Sequence, residues 1–295
     1  MYSQIASNKR KSILLIGIFL VLVVGMGLII DAYYDASGAI TVVALVYSLI
    51  TALVSYYAGD KMALMAAGAR EIKKEDSPEL WRLVENLCIA DGIPMPKVHL
   101  IDDPAPNAFA TGRDPKTSSI AFTTGLLERL DRTELEGVVA HELSHIKNYD
   151  VRVMTIVVVL VGVIAVMANI FMRIGLRGGG GNRRREGAAV LLVLGLVAII
   201  LAPIIANLVK LAVSRRREYL ADASGALLTR FPEGLARALE KISSYDGALK
   251  RAGSATAHLY IANPFGKGGW AAGLTSTHPP IEKRIAALRQ MGTTT

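Results

Sequence analysis

The hydrophobic pattern divides the chain into four long apolar runs and two stretches in which apolar and polar positions alternate. The runs are 12–30, 39–57, 153–172 and 188–213, without internal charge except Lys210 near the end of the last. Each is long enough to cross a bilayer core of roughly 30 Å, which takes about 20 helical residues. Lys9, Arg10 and Lys11 precede the first run. Its apolar core is too long for a cleavable signal, so it is predicted to stay as an anchor. The third and fourth runs also fit a buried helical hairpin within a globular domain.

Between the second and third runs the pattern is that of a folded domain. "SPELWRLVENLCIADG" places Ser77 as helix cap, Pro78 at the first helical position, Leu80, Leu83, Val84 and Leu87 on one face, and Gly92 as the stop. A strand, "KVHLI", follows, then a Pro-, Asn- and Gly-rich loop over 102–117, a second strand, "SSIAFT", and a helix around 125–130. His99 in the first strand reads as structural or surface. Thr133 and Glu136 form a T-x-x-E capping box that predicts the start of another helix. The fold class predicted is mainly α with a small β-sheet. Its parts are a membrane hairpin over 1–58, the first half of the soluble domain over 59–150, a second hairpin over 151–213 and the second half over 214–295.

Composition agrees with the runs: 295 residues, 52% hydrophobic, are too apolar for a typical soluble protein. The formal charge of +8 flanks the apolar runs and is not interleaved with aromatics, so it predicts an anionic bilayer surface as partner and no nucleic acid. Lys and Arg lie before the first run and after the second, whereas the turn between them carries Asp31 and Asp35. The N-terminus and the segment from about residue 58 are therefore expected in the cytoplasm, in a multi-pass protein of the cell membrane. The linker over 173–187, with Arg183, Arg184 and Arg185, opposes that bias if the third run crosses. Cys88 is the single cysteine, so no intrachain disulfide exists, and it reads as a small core residue.

The helix begun near Thr133 carries "HELSH". His141 and His145, four apart, project from one helical face with Glu142 beside them. H-E-x-x-H on a helix is the zincin pattern, in which two imidazoles hold Zn²⁺ and the glutamate is a general base. A catalytic zinc needs a third protein ligand. Beyond the fourth run, "REYLAD" sets Glu218 and Asp222 one helical turn apart. Glu218 is a surface partner of the adjacent arginines or a carboxylate ligand. Asp222 orients a ligand histidine or pairs with an arginine.

The ordered motifs HELSH, "EYLAD" at 218–222 and "THPPIEKRI" at 277–285, together with four apolar runs, resemble the HtpX-type membrane metallopeptidases, relatives of the CaaX prenyl proteases. The resemblance spans nearly the whole chain. It implies a zincin-like HExxH domain with one Zn²⁺ per chain on His141, His145 and Glu218, and Glu142 as catalytic base. It further implies that Asn107, Ala108 and Phe109 lie beside the substrate cleft and that His278 and Arg284 approach the metal. Read without it, His278 caps a last helix begun by Pro279 and Pro280, and Arg284 lies on that helix's surface. "SSIAFT" is expected to be the sheet edge that takes polypeptide substrate as an extra strand. The expected function is endopeptidase action on misfolded or damaged membrane proteins under stress. A CaaX-type prenyl protease would need a chamber of several more spans. A non-catalytic metal scaffold leaves Glu142 without a use, and a transporter is disfavoured by the lack of charge inside the runs.

Overall fold

The computed structural model describes residues 2–34, 37–162, 215–251, 253, 256–266 and 279–292. The later part of the third apolar run, the fourth run, the linker 173–187 and His278 lie outside the described residues. The chain opens with an antiparallel pair of long helices, α1 (Tyr2–Tyr34) and α2 (Ala39–Ala67). Both are long and apolar enough to cross a membrane. Asp31, near the end of α1, caps the start of α2 by accepting from the backbone N–H of Ile40 at 3.2 Å and of Thr41 at 2.8 Å. Gly38 turns the chain there with φ +86°. Val42, Val43, Val46, Leu49, Ile50 and Leu53 of α2 are exposed apolar side chains, the surface that a helix offers to lipid. Helix α2 continues past the expected end at 57 and stops where Gly68 takes a left-handed conformation.

Helix α3 (Pro78–Asp91) buries Leu80, Leu83, Val84 and Cys88, the face expected. The Ser77 hydroxyl makes no capping bond, so only the position of that helix start matches the expectation. The sheet has order β1-β2-β4-β3 over Arg70–Glu71, Lys97–Ile101, Ser118–Thr123 and Ala108–Gly112. Strand β2 pairs in parallel with β4, and β3 pairs antiparallel with β4. Two expectations change here. Residues 108–112, predicted as loop, form β3, because pairing with β4 satisfies their backbone despite the loop-like Pro and Gly neighbours. "SSIAFT", expected at the edge, is β4 and has a neighbour on each side, so the edge strands are β3, beside it, and β1.

Strand β4 runs into α4 (Thr124–Arg129) and then α5 (Arg132–Lys147). The capping box of α5 is Asp131 with Glu134, not Thr133 with Glu136. Asp131 Oδ1 accepts from the Glu134 N–H at 3.0 Å and Glu134 Oε2 accepts from the Asp131 N–H at 2.8 Å. Asp131 is the extended residue immediately before α5, whereas Thr133 lies within the helix, and Glu136 pairs instead with Arg132 at 3.1 Å. Buried on all sides, α5 lies against the sheet and against α7 (Arg215–Thr229) and α8 (Pro232–Ser244). A helix α6 begins at residue 150 and is described to 162. Its Val153, Ile156, Val157 and Leu160 pack on Leu15, Phe19 and Val23 of α1. The last helix, α9 (Ile281–Gly292), packs on α8.

Candidate metal centre

The capping box sets the phase of α5, and the helical repeat brings His141 and His145 onto one face, where their ring centroids are 4.8 Å apart. Their Nε2 atoms face each other at 3.2 Å. Glu218, in the first turn of α7, completes the cluster, with its Oε1 3.5 Å from His145 Nε2 and its Oε2 3.9 Å from His141 Nε2. One ligand atom from each of the three residues lies within 4.8 Å of the others, and all three residues are buried. The approach of α7 to α5 depends on Gly225, where a Cβ would meet the His141 backbone nitrogen at 3.0 Å.

Both imidazoles are oriented from behind. His141 Nδ1 lies 2.9 Å from Asp222 Oδ1, and His145 Nδ1 lies 3.1 Å from Asp150 Oδ2. A carboxylate at each Nδ1 makes that nitrogen the proton donor, so in the neutral, metal-binding form of the rings both Nε2 lone pairs point into one small space. Such lone pairs repel unless a cation lies between them. Two nitrogens on one tetrahedral Zn²⁺, with bonds of about 2.0–2.1 Å, would stand about 3.3 Å apart, and the donor set is one that such an ion takes. The residues therefore fit a metal.

Arg284, on α9, is buried rather than on the helix surface. It grips Asp222 with both branches, Nε to Oδ2 at 2.8 Å and Nη2 to Oδ1 at 2.6 Å. Its Nη1 donates to the Ile261 carbonyl at 3.0 Å and stands 3.6 Å from Glu218 Oε2. Asp222 thus serves both roles left open for it, holding His141 and pairing with an arginine. Glu142 is buried beside the cluster, where the neighbouring Ala110 backbone of β3 favours its charged form. Asn107, Ala108 and Phe109 are buried too. The Asn107 amide donates to the Ala262 carbonyl at 3.1 Å, the Ala108 carbonyl accepts from the Ile261 N–H at 2.9 Å, and the Phe109 ring packs edge-on against Tyr260. Sequence reading missed Asp150. Its signal is the need of His145 Nδ1 for an acceptor, met five residues on.

The chain matches peptidase family M48 over residues 74–292. It is 48% identical over 292 residues to a protein described as "Protease HtpX homolog" from Tropheryma whipplei (strain Twist), with 99% of each chain covered. A relative of the same description from Dictyoglomus thermophilum is 48% identical over 294 residues, covering 99% of this chain and 95% of the relative. The chain belongs to peptidase family M48. It is a membrane metalloprotease. The crystal structure of S. mikatae Ste24p shares its fold, with a TM-score of 0.51 at 15% identity over 98% of this chain and 67% of the other.

The charges of the M48 centre predict how the metal-free protein responds to pH. Burial, opposed by the nearby His145, lifts the Glu142 carboxyl to about 7. An unfolded glutamate titrates at about 4.3, so the buried carboxyl costs stability increasingly as pH rises between these values. Burial works against the charged form of His145, but the Asp150 hydrogen bond and the Glu218 charge outweigh it and raise the ring to about 9. Its stabilising contribution is full below an unfolded histidine's value of about 6.5 and is lost as pH climbs through 9. Both groups act in the same direction. Burial lowers His141 and His99, which act in the opposite sense below about 6.5, so with a chelator present the melting temperature of the full-length protein should fall from about pH 7 to 9. A melting temperature that rises across that range would contradict these assignments.

Proposed function

We propose that this membrane metalloprotease is a Zn²⁺-dependent endopeptidase whose centre faces the cytoplasm and whose polypeptide substrates are misfolded or damaged membrane proteins, cut as stress quality control. The observation that carries the reading is the convergence of His141 Nε2, His145 Nε2 and a Glu218 oxygen beside Glu142. His141, His145 and Glu218 would hold the metal, one per chain. When bound, Zn²⁺ supplies Lewis-acid polarisation of a water and of the scissile carbonyl.

Glu142 accepts the proton of the attacking water at its carboxylate and returns it to the leaving amine. Burial places its proton affinity near neutrality, where both transfers are accessible. Asp222 and Asp150 fix the ring orientations, and Arg284 neutralises the charge that Asp222 and Glu218 bring together. Asn107, Ala108 and Phe109 would act by holding β3 and the 260–262 segment in place beside Glu142, since their side chains and the Asn107 and Ala108 backbone are engaged within the fold. A peptide laid along β3 beyond the Ala108–Ile261 bond would gain main-chain pairing that reads little side-chain identity, in keeping with unfolded substrates. A cavity lined by Asn107, Tyr245, Ile261, Pro279, Ile281 and Arg284 adjoins this edge.

The start of α1 touches the segment after α5, as Asn8 Nδ2 donates to the Asn148 carbonyl at 2.9 Å. The N-terminus and the centre therefore share one side of the bilayer, and the basic residues beside them favour the cytoplasm. Glu218 returns to that side if the third and fourth runs cross as a pair, giving four spans.

Glu142→Gln should retain about one zinc per chain and lose at least about 100-fold in peptide hydrolysis, because the amide cannot take the proton. Glu218→Gln should lose both. Substantial turnover by zinc-loaded Glu142→Gln would remove Glu142 as base, and a Glu218→Gln protein with tight zinc and normal cleavage would remove Glu218 as ligand. A cysteine at position 77, in a Cys88→Ser background, should resist an impermeant thiol reagent applied to intact cells. Labelling there would place the centre outside.

A further inference from the structure

Beyond the ligands and the carboxylates behind them lies one buried amide with an unusual origin. Asn8 belongs to the first turns of α1, the helix that otherwise serves as an anchor, and it is buried. An amide removed from water is costly unless its hydrogen-bonding groups are met. Here they are met. Asn8 Nδ2 donates to Asp150 Oδ1 at 2.7 Å and to the Asn148 carbonyl at 2.9 Å, while Asn8 Oδ1 accepts from Arg217 Nη1 at 3.3 Å. Two acceptors on one side and a guanidinium on the other leave one orientation for the amide.

The partners are what give the contact meaning. Asp150 divides its oxygens, Oδ2 to His145 and Oδ1 to Asn8 and to Arg217 at 3.1 Å. Arg217 immediately precedes Glu218. One side chain thus touches both the carboxylate that orients His145 and the residue adjoining Glu218, across sequence separations of 142 and 209 residues. No local propensity makes such a contact. It exists when α1 is seated on α6 through Leu15, Phe19 and Val23.

We infer that Asn8 is a positioning residue of the metal centre, holding Asp150 so that its second oxygen orients His145, and that seating of the N-terminal membrane helix therefore sets metal affinity. The inference rests on the reading of His141, His145 and Glu218 as metal ligands. Without the amide, Asp150 Oδ1 keeps Arg217 as its charged partner and the carboxylate is free to turn toward it, away from His145. Aspartate at position 8 would lose both donors and set a second negative charge against Asp150. The anchor is, on this account, part of the active centre.

The test uses full-length protein in detergent and zinc alone, with affinity read by competition against a chromogenic chelator. Asn8→Ala should weaken zinc by about 10-fold, within the roughly 10- to 100-fold that partners behind a metal ligand usually carry. Asn8→Asp should weaken it as well. In an Asp150→Asn background, Asn8→Ala should add less than about twofold, a coupling that general loosening of the fold would not produce. Ser12→Ala, which removes another buried polar group of α1 bonded only within the helix, should leave affinity unchanged. If Asn8→Ala fails to accumulate, Asn8→Ser, which keeps one donor, carries the same comparison. Wild-type affinity in the folded Asn8 variants would overturn the inference, as would equal losses in the two Asp150 backgrounds. A wild type that holds no zinc, or a His145→Ala protein that holds it normally, would instead overturn the metal reading itself.

Discussion

Two imidazole nitrogens facing each other at 3.2 Å in a buried site are the constraint on which the rest of this structure depends. With a carboxylate behind each ring, both facing atoms are lone-pair donors once the rings are neutral, and Glu218 adds a third from another helix. Lone pairs directed together are unfavourable by themselves and favourable around a cation. The surrounding fold resists their separation. Arg284 clamps Asp222, Arg217 and Asn8 hold Asp150, and α7 lies so near α5 that a Cβ at Gly225 would crowd the His141 backbone.

That constraint explains an otherwise puzzling arrangement, in which four carboxylates, two arginines and two histidines are withdrawn from water together. Buried charges are tolerated when each is paired and hydrogen-bonded. Asp222 is held to about 2 because the charge and hydrogen bonds of Arg284 exceed the cost of burial. Glu142 differs. Whereas Asp222 and Asp150 are lowered, it is raised to about 7 by burial. The pair of environments separates a permanently charged structural carboxylate from one able to gain and lose a proton near neutrality. The β-sheet contributes through β3, whose backbone reaches Glu142 on one side while Phe109 fills the core on the other.

Much of this was legible in the sequence, since it depends on local spacing. The i,i+4 histidines, the i,i+4 pair Glu218 and Asp222, and the apolar runs of the α1–α2 hairpin are each set within one helix. What was illegible depends on contacts between distant segments. Strand β3 follows a Pro- and Asn-rich stretch and is extended because β4 pairs with it. Arg284 looks like any helix-surface arginine until α9 lays it across Asp222. Asn8 and Asp150 meet across 142 residues, and no single-segment pattern encodes that. The capping box was misplaced by two residues because Asp131 and Thr133 both offer cap chemistry, and the backbone between α4 and α5 decides in favour of Asp131.

The central claim is that two imidazoles and one carboxylate, with no thiol, hold a single zinc within a membrane protein. X-ray absorption at the zinc edge on the full-length, detergent-purified protein tests it most directly. The account predicts one zinc per chain in a four-coordinate shell of nitrogen and oxygen at about 2.0–2.1 Å, with the outer-shell pattern of two imidazoles. A sulfur ligand at about 2.3 Å, which would have to come from a thiol or thioether elsewhere in the chain, or the scattering of a single imidazole, would contradict it.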